Sequence, residues 1–386
     1  MNFDYLFPVD DAVIAHSMLL SDQSLGRHIS IYTKQNGVPD LTDVRIAIVG
    51  VEEGRNAIDN RGTGQGIDAI RKQLYELYPG NWIVSIADLG NIPQGDTIED
   101  TYFAVKELLS GLLKQNIIPI IIGGGQDLTY ANYRAYDTLE QMVNVVSIDN
   151  KFDFGSIQDG VTSQSYLSSI VMEKPNNLFN FSNIGYQTFF NPQEEIDLVN
   201  DLFFDAFRLG EVSKKIELVE PILRDADIVS IDIGVVRNSE APANNNATPN
   251  GFYGDDLCAI ARYAGISDKV SSLGIYEFNH TLDNKNQTAQ LIAQAIWYFV
   301  EGVNSRTHDY PFGTKDNYQK FIVPVEEEVL NFYKSNKSGR WWMEINLKMN
   351  NKYERHSLIP CTYQDYLSAN EQEIPDRWYK TLKKVM

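Results

Sequence analysis

Three aspartates, a lysine and a glutamine carry the chemistry that this sequence could perform. Asp149, Lys151 and Asp153 stand in the segment DNKFD, Asp232 begins DIGVV, and Gln126 follows three glycines. Hard divalent cations prefer carboxylate and amide oxygens, and an ammonium group can supply part of the charge that clustered carboxylates need. The residues therefore fit an all-oxygen site for Mg²⁺, Ca²⁺ or Mn²⁺, or a carboxylate cluster neutralised by lysine. Taken singly, each aspartate is also an ordinary helix-cap or loop residue.

Alternating strands and helices must position these side chains. Amphipathic stretches such as GIDAIRKQLYELY predict helices. Short apolar runs bounded by turn residues are typical of strands buried on both faces. These runs lie at 44–50, 81–90, 117–125, 143–150, 227–234 and 271–279. The sequence thus predicts an α/β fold, a three-layer α/β/α core with a mainly parallel sheet.

The core extends over residues 43–303 and leaves an extension at each end. Residues 1–42 form an N-terminal extension without clear periodicity, and residues 304–386 form a C-terminal extension. We expect the C-terminal extension to pack on the core, because exposed Trp341 and Trp342 would be costly. Within it, the sequence predicts a helix over 325–336 and a strand over 340–349.

Polar residues follow the predicted strands directly. In a parallel sheet, ligands bind beyond the carboxyl ends of the strands. We therefore expect the site at the carboxyl edge of the sheet. The polar residues at these strand ends are Gln126, Asp127, Asp149, Asp153, Asp232 and Glu277. The glycines at 123–125 lack the spacing of a phosphate-binding loop and are interpreted as a tight turn with close backbone approach.

Composition and charge exclude several classes of function. The chain has 33 basic and 52 acidic residues, a formal charge of -19, which argues against nucleic-acid binding. No apolar run approaches the roughly 20 residues of a membrane helix, and no signal peptide is evident. The two cysteines, Cys258 and Cys361, have no metal-type spacing. We expect a cytoplasmic protein without membrane partners.

Several segments resemble the motifs of the arginase, agmatinase and formimidoylglutamase family of manganese ureohydrolases. That family has a GGGHD turn, a DAHxD motif and a DxDxxDPxxAP stretch. Here the matching segments are GGGQD at 123–127, DNKFD at 149–153, and DIGVVRNSEAP from 232 onward. Softer matches, in the right order, are NRGTGQGIDAIRKQL, DLGNI and YEFNHTLDNKNQTAQLIAQAI. The chain is identified as a divergent member of this family.

The resemblance implies six ligands for two metals, of which three are replaced. Asp149, Asp153 and Asp232 match family ligands, whereas Gln126, Lys151 and Gly234 stand where the other three belong. The second metal loses both of the ligands that it does not share with the first, and Lys151 places a cation near its position. The resemblance therefore implies a degenerate metal site. We expect no tightly bound cofactor, and the alternative is one divalent cation, Mn, Mg or Ca, held by Asp149, Asp153, Asp232 and Gln126.

Two functions remain open, and the sequence does not establish that the chain is an enzyme. In the first, it is a pseudoenzyme that keeps the pocket for binding or regulation without dinuclear manganese hydrolysis. In the second, it is an active amidinohydrolase, most similar to formimidoylglutamases, that uses one metal or a lysine-assisted site.

Candidate residues follow from the motifs and from the neighbouring loop. The catalytic candidates are Asp149, Lys151, Asp153, Asp232 and Glu277, the last matching a substrate-facing glutamate of the family. The substrate-binding candidates are Asp127, Ser163 and Ser165. The resemblance also implies a small guanidino or amidino ligand and a homo-oligomer.

Overall fold

A mainly parallel sheet forms the centre of the molecule. The computed structural model describes residues 3–158, 160–311, 314–326, 328–345 and 358–385. Within these ranges the sheet has nine strands in the order β1-β3-β2-β4-β9-β8-β5-β6-β7. The strands are β1 (Ser30–Ile31), β2 (Ile46–Val51), β3 (Ile86–Ile92), β4 (Ile118–Ile122), β5 (Val143–Ile148), β6 (Leu178–Tyr186), β7 (Asp205–Arg208), β8 (Ile228–Asp232) and β9 (Ser272–Tyr276).

Helices cover both faces of this sheet. On β2, Ile46 and Ile48 face one apolar core, whereas Ala47 and Val49 face a second core on the other side. The described helices are α1 (Asp11–Leu19), α2 (Ile67–Glu76), α3 (Ile98–Lys114), α4 (Leu128–Arg134), α5 (Tyr166–Met172), α6 (Gln193–Asp201), α7 (Leu209–Val212), α8 (Glu220–Arg224), α9 (Gly254–Ile266), α10 (Gln287–Asn304), α11 (Tyr363–Asn370) and α12 (Asp376–Val385).

The two cores show why the strands are mainly apolar. Residues of α2, α9 and α10 contribute to the first core, and residues of α3, α4 and α5 to the second. Because successive side chains of a strand point to opposite faces, a strand between two helical layers is buried on both faces and therefore mainly apolar. β2, β4 and β5 are buried along their whole length. The predicted three-layer α/β fold is confirmed.

The C-terminal region contains a second, antiparallel sheet with the strand order β10-β11-β12-β13. Its strands are β10 (Tyr318–Val325), β11 (Glu328–Ser335), β12 (Trp341–Glu344) and β13 (Leu358–Cys361). The predicted helix over 325–336 is wrong, since this segment holds β11. Leu330 and Phe332 are buried with half-buried Asn331 between them, which is the two-residue period of a strand. Of the predicted strand over 340–349, residues 346–349 lie outside the described residues.

Arg224 at the end of α8 joins this second sheet to the core. Its Nη1 donates to the Trp341 carbonyl oxygen at 3.1 Å and its Nη2 to that of Cys361 at 2.9 Å. The guanidinium carbon lies 4.5 Å from the centre of the Trp342 ring. Trp342 is fully buried.

Among the described helices, none combines the length and apolarity required to cross a membrane.

A buried ion pair fixes α2 against β3. The Arg71 Nε donates to Asp88 Oδ2 at 2.8 Å and its Nη2 to Asp88 Oδ1 at 3.0 Å, and both side chains are fully buried. The Tyr75 hydroxyl donates to the same carboxylate at 2.9 Å. This bidentate contact connects the helix that follows the glycine-rich segment to the sheet.

Replacing Arg71 with methionine should lower the free energy of unfolding by about 3–5 kcal/mol, because the Asp88 carboxylate then stays buried without a cation. The double variant R71M/D88N should lose less, since it removes that charge. Asp68→Asn is the matched control, because the Asp68 side chain is 39% exposed where it contacts Arg71. Urea denaturation measures all three variants, and equal losses for R71M and D68N would contradict the prediction.

Candidate functional site

The carboxyl ends of four adjacent strands converge on one small polar cavity. β4, β9, β8 and β5 are neighbours in the sheet. The segments that follow these strands carry Gln126, Glu277, Asp232 and the Asp149 to Asp153 segment. The cavity has a volume of about 20 Å³ and is lined by Asn150, Lys151, Asp153, Ser163, Gln164, Asp232, Gly234, Asn246 and Glu277.

The aspartates are buried, and this burial dominates their electrostatics. Asp149 and Asp153 are 2% and 7% exposed. Burial, followed by repulsion from Asp149, raises the pKa of Asp153 well above its ordinary value. Burial, followed by repulsion from Asp149 and Glu277, does the same to the pKa of Asp232. The cluster therefore needs protons or cations for charge compensation.

Asp153 and Glu277 adopt a backbone conformation that is costly for any residue other than glycine. Asp153 has φ 60° and Glu277 has φ 65°, both in the left-handed region. Such conformations persist where the surrounding structure imposes them, and they are concentrated at functional sites. Both residues project from turns after central strands, so the fold holds these carboxylates in place against the local preference of the chain.

Glu277 is held by two hydrogen bonds. Its Oε1 accepts from the Gln126 backbone N at 2.9 Å, and its Oε2 accepts from Asn60 Nδ2 at 2.7 Å. Burial raises the pKa of Glu277 to about 8. The carboxylate thus connects the GGGQD turn to the segment that leads towards α2.

The GGGQD turn brings the Gln126 side chain into the protein interior. Gly124 has φ 79°, and a Cβ there would lie 2.5 Å from the Glu53 carbonyl oxygen. This is the close backbone approach that the sequence predicts. Gln126 Nε2 donates to Ser230 Oγ at 2.9 Å, whereas Gln126 Oε1 is buried with no hydrogen-bond donor in the described chain.

Two buried oxygen atoms of the cluster lack a hydrogen-bond donor. Asp149 Oδ1 accepts from the Lys151 backbone N at 2.9 Å, but Asp149 Oδ2, like Gln126 Oε1, is buried without a donor in the described residues. Buried polar atoms without partners are uncommon and indicate an absent ligand or water. His, Cys, Asp and Glu side chains alone form no metal-holding group within the described residues. A cation here would therefore depend on the amide oxygen of Gln126 as well.

The space beside Gly234 is filled by protein atoms. At Gly234, an added Cβ would lie 2.8 Å from Asn244 Nδ2 and 3.0 Å from Asp232 Oδ1. Asn244 Nδ2 donates to Asp232 Oδ1 at 3.2 Å, and the Gly234 backbone N donates to the same oxygen at 2.6 Å. On the other side, Lys151 lines the cavity as a cation. The residues do not fit two metals.

The predicted substrate-binding residues divide into two groups. Ser163 lines the cavity, and its Oγ accepts from the Ile58 backbone N at 2.9 Å. Asp127 and Ser165 do not line it, contrary to expectation. Asp127 Oδ2 accepts from the Tyr102 hydroxyl at 2.5 Å, and burial raises the pKa of Asp127 to about 7. Ser165 Oγ accepts from the Thr162 backbone N at 2.9 Å.

Three asparagines complete the site and were absent from the sequence-based candidates. Asn60 holds Glu277, Asn244 holds Asp232, and Asn246 lines the cavity. Asn244 and Asn246 belong to the ANNNATPNG segment, which the sequence indicates only as a loop. The only signal in the sequence was the residue type, because the amide group of an asparagine can donate a hydrogen bond to a carboxylate that has no metal beside it.

Comparisons with known proteins identify the class. A model of the arginase family matches residues 44–301. The chain therefore belongs to the arginase family, as the motifs indicate. A formimidoylglutamase of Staphylococcus aureus is 27% identical over 252 residues, covering 62% of this chain and 79% of the relative.

Solved structures show the same fold. Trypanosoma cruzi formiminoglutamase with Mn²⁺ matches with a TM-score of 0.64 at 21% identity, covering 69% of this chain and 96% of that chain. Bacillus subtilis formimidoylglutamase matches with a TM-score of 0.63 at 19% identity, covering 78% and 100%. The expectation of no cofactor, drawn from the replaced ligands, is contradicted by these comparisons, because manganese-bound neighbours in a metal-dependent family point to a metal cofactor.

The space beside Gly234 allows a direct test. Gly234→Ala should lower the free energy of unfolding by about 1–3 kcal/mol, because the added methyl group displaces Asn244 from Asp232. The double variant G234A/N244G should recover part of this loss. Gly210→Ala is the matched control, since a Cβ there meets no atom within 4 Å. Urea denaturation distinguishes them, and a G234A protein as stable as G210A would contradict the packing described.

Proposed function

We propose that this chain is a cation-binding member of the arginase family that has lost two-metal hydrolysis and serves in ligand binding or regulation. The observation that carries the proposal is that Lys151 and Gly234 stand where the family has ligands of its second metal, while Asn244 Nδ2 donates to Asp232 beside Gly234. Two-metal hydrolysis requires both ions to activate a bound water. With one ion position filled by protein, that activation is not available.

Charge supports a single cation. Three ionised aspartates and the Lys151 ammonium sum to about -2, which one divalent ion neutralises. Burial raises the pKa of both Asp149 and Asp153, and the Lys151 charge opposes this increase only in part. Two divalent ions beside the same ammonium would leave the site with a charge of about +2, of which an ionised Glu277 could neutralise only one.

The residues that would hold the cation are Gln126, Asp149, Asp153 and Asp232. Their oxygen atoms suit Mn²⁺, Mg²⁺ or Ca²⁺. When bound, such an ion supplies Lewis-acid polarisation of a coordinated oxygen. Glu277 would remain beside it as a carboxylate held by Gln126 and Asn60. The manganese of the T. cruzi structure supports Mn²⁺ as the first ion to test.

The cavity limits the size of any organic ligand. Its volume of about 20 Å³ is close to that of a single water site. A guanidino or amidino group, the ligand class that the family suggests, would enter only if side chains that line the cavity moved. A working amidinohydrolase based on one metal or on Lys151 is less favoured, because substrate and attacking water would both need space beside the carboxylates.

An activity panel tests the loss of hydrolysis. With Mn²⁺ supplied, we expect no turnover of formimidoylglutamate, agmatine or arginine above the buffer rate, because a second metal has no ligands at Lys151 and Gly234. Release of formamide or urea is the readout, and an S. aureus formimidoylglutamase assayed in parallel is the positive control. Turnover of any of the three within tenfold of that control would sink the proposal.

A further inference from the structure

A second cavity lies at the amino edge of the main sheet, opposite the carboxylate cluster. Ile118 at the start of β4, Asp227 just before β8 and Ser271 just before β9 all line it, and its volume is about 410 Å³. That volume lies within the range of about 300–1,000 Å³ that small-molecule sites occupy. The proposed cation site does not use any of these residues.

Two guanidinium groups face this cavity without a carboxylate partner. Arg306 Nε donates to the Gly265 carbonyl oxygen at 2.9 Å, and its Nη2 donates to that of Val270 at 2.8 Å. Arg45 Nη1 donates to the Asn116 carbonyl oxygen at 2.5 Å. Throughout the described residues, neither arginine forms an ion pair within hydrogen-bonding range. Both positive charges are therefore satisfied only by neutral oxygen atoms.

The acidic residues of the cavity wall are already engaged. The Asp268 carboxylate accepts from the backbone N of His308, Asp309 and Tyr310 at 3.1, 2.8 and 3.2 Å. Asp227 Oδ2 accepts from Lys269 Nζ at 2.6 Å. Backbone N–H groups and Lys269 take up the hydrogen-bonding capacity of these carboxylates, so neither carboxylate pairs directly with an arginine in the described residues, and Asp268 compensates the two guanidinium charges only in part.

Repulsion between the two arginines shows the excess of positive charge. Burial and then the neighbouring Arg45 lower the pKa of Arg306 to about 9, against a smaller opposing effect of Asp268. Arg306 still carries its charge at neutral pH. A buried cation in this position gains stability from an anion that occupies the cavity.

Part of the remaining wall is apolar. This part comprises Leu113, Ile117, Leu139, Met142 and Val270, with the Tyr310 side chain beside them. Guanidinium groups match carboxylate and phosphate geometry in particular. We propose that this cavity binds a small organic anion, with its carboxylate or phosphate group at Arg45 and Arg306 and its apolar body against this wall.

Thermal unfolding of the full chain tests the site. Benzoate, phenyl phosphate and inorganic phosphate at millimolar concentration are compared with sodium chloride of equal ionic strength. We expect at least one of the two organic anions to raise Tm by about 2 °C or more over chloride, and to exceed inorganic phosphate because its ring buries apolar surface. The benzoate and phenyl phosphate arms distinguish a carboxylate from a phosphate ligand.

Substitution assigns the effect to the cavity. Arg45→Gln should remove at least half of the rise, because Arg45 is half-buried and its side chain gives up only one hydrogen bond. Arg208→Gln, an exposed arginine at the end of β7, is the matched control and should keep the rise. If R45Q does not fold, Arg45→Lys replaces it. The loss of the planar guanidinium group should again reduce the rise in Tm.

No rise over chloride with either organic anion would overturn the proposal. So would a rise that is equal in wild type and in the Arg45 variant.

Discussion

The electrostatic cost of burying several carboxylates together constrains the centre of this molecule. Asp149, Asp153, Asp232 and Glu277 meet at the carboxyl edge of the sheet because β5, β8 and β9 are adjacent there. Each carboxylate is at most 7% exposed or lines a cavity of about 20 Å³. Their mutual repulsion must be offset, and nearby donors do so in part. Asn60, Asn244 and the backbone N of Lys151 and Gly234 all donate to this cluster.

These donors support the proposed change in chemistry relative to the family. In a dinuclear site, metal ions compensate the carboxylates, and a lost metal leaves its carboxylates without a cation. Here Asn244 Nδ2 donates to Asp232 Oδ1 on one side, and the Lys151 charge partly opposes the effect of burial on Asp149, Asp153 and Asp232. On the other side, Gln126 Oε1 and Asp149 Oδ2 stay without donors in the described chain. We propose on this basis that the site keeps one cation position and replaces the other with protein groups.

The sequence predicted the elements whose pattern is local. β4 is a continuous apolar run, β5 is interrupted only by Asn144 and Ser147, and the motif order placed Asp149, Asp153 and Asp232 at one edge. β6 was missed because asparagines interrupt its apolar pattern, with Asn180 and Asn183 inside LFNFSNIGY. β11 was interpreted as a helix because its glutamates and lysine suit either structure, and only pairing with β10 decides between them.

The side-chain contacts of the site were less accessible to prediction. Asn60 and Glu277 are 217 residues apart in the chain. Asn244 fills the space beside Gly234 only because the ANNNATPNG loop folds back on Asp232, and no periodic pattern indicates that. Asp127 follows a strand like the other candidates, yet its carboxylate turns to Tyr102. Direction of a side chain after a strand depends on turn geometry, which residue type alone does not specify.

Anomalous diffraction from crystals grown with manganese tests the central claim most directly, since it locates each ion independently of activity. One manganese peak per chain is expected, bounded by Gln126, Asp149, Asp153 and Asp232, with Lys151 and Asn244 in place of a second. Two peaks, one of them beside Lys151 and Gly234, would contradict a site that has lost its second metal.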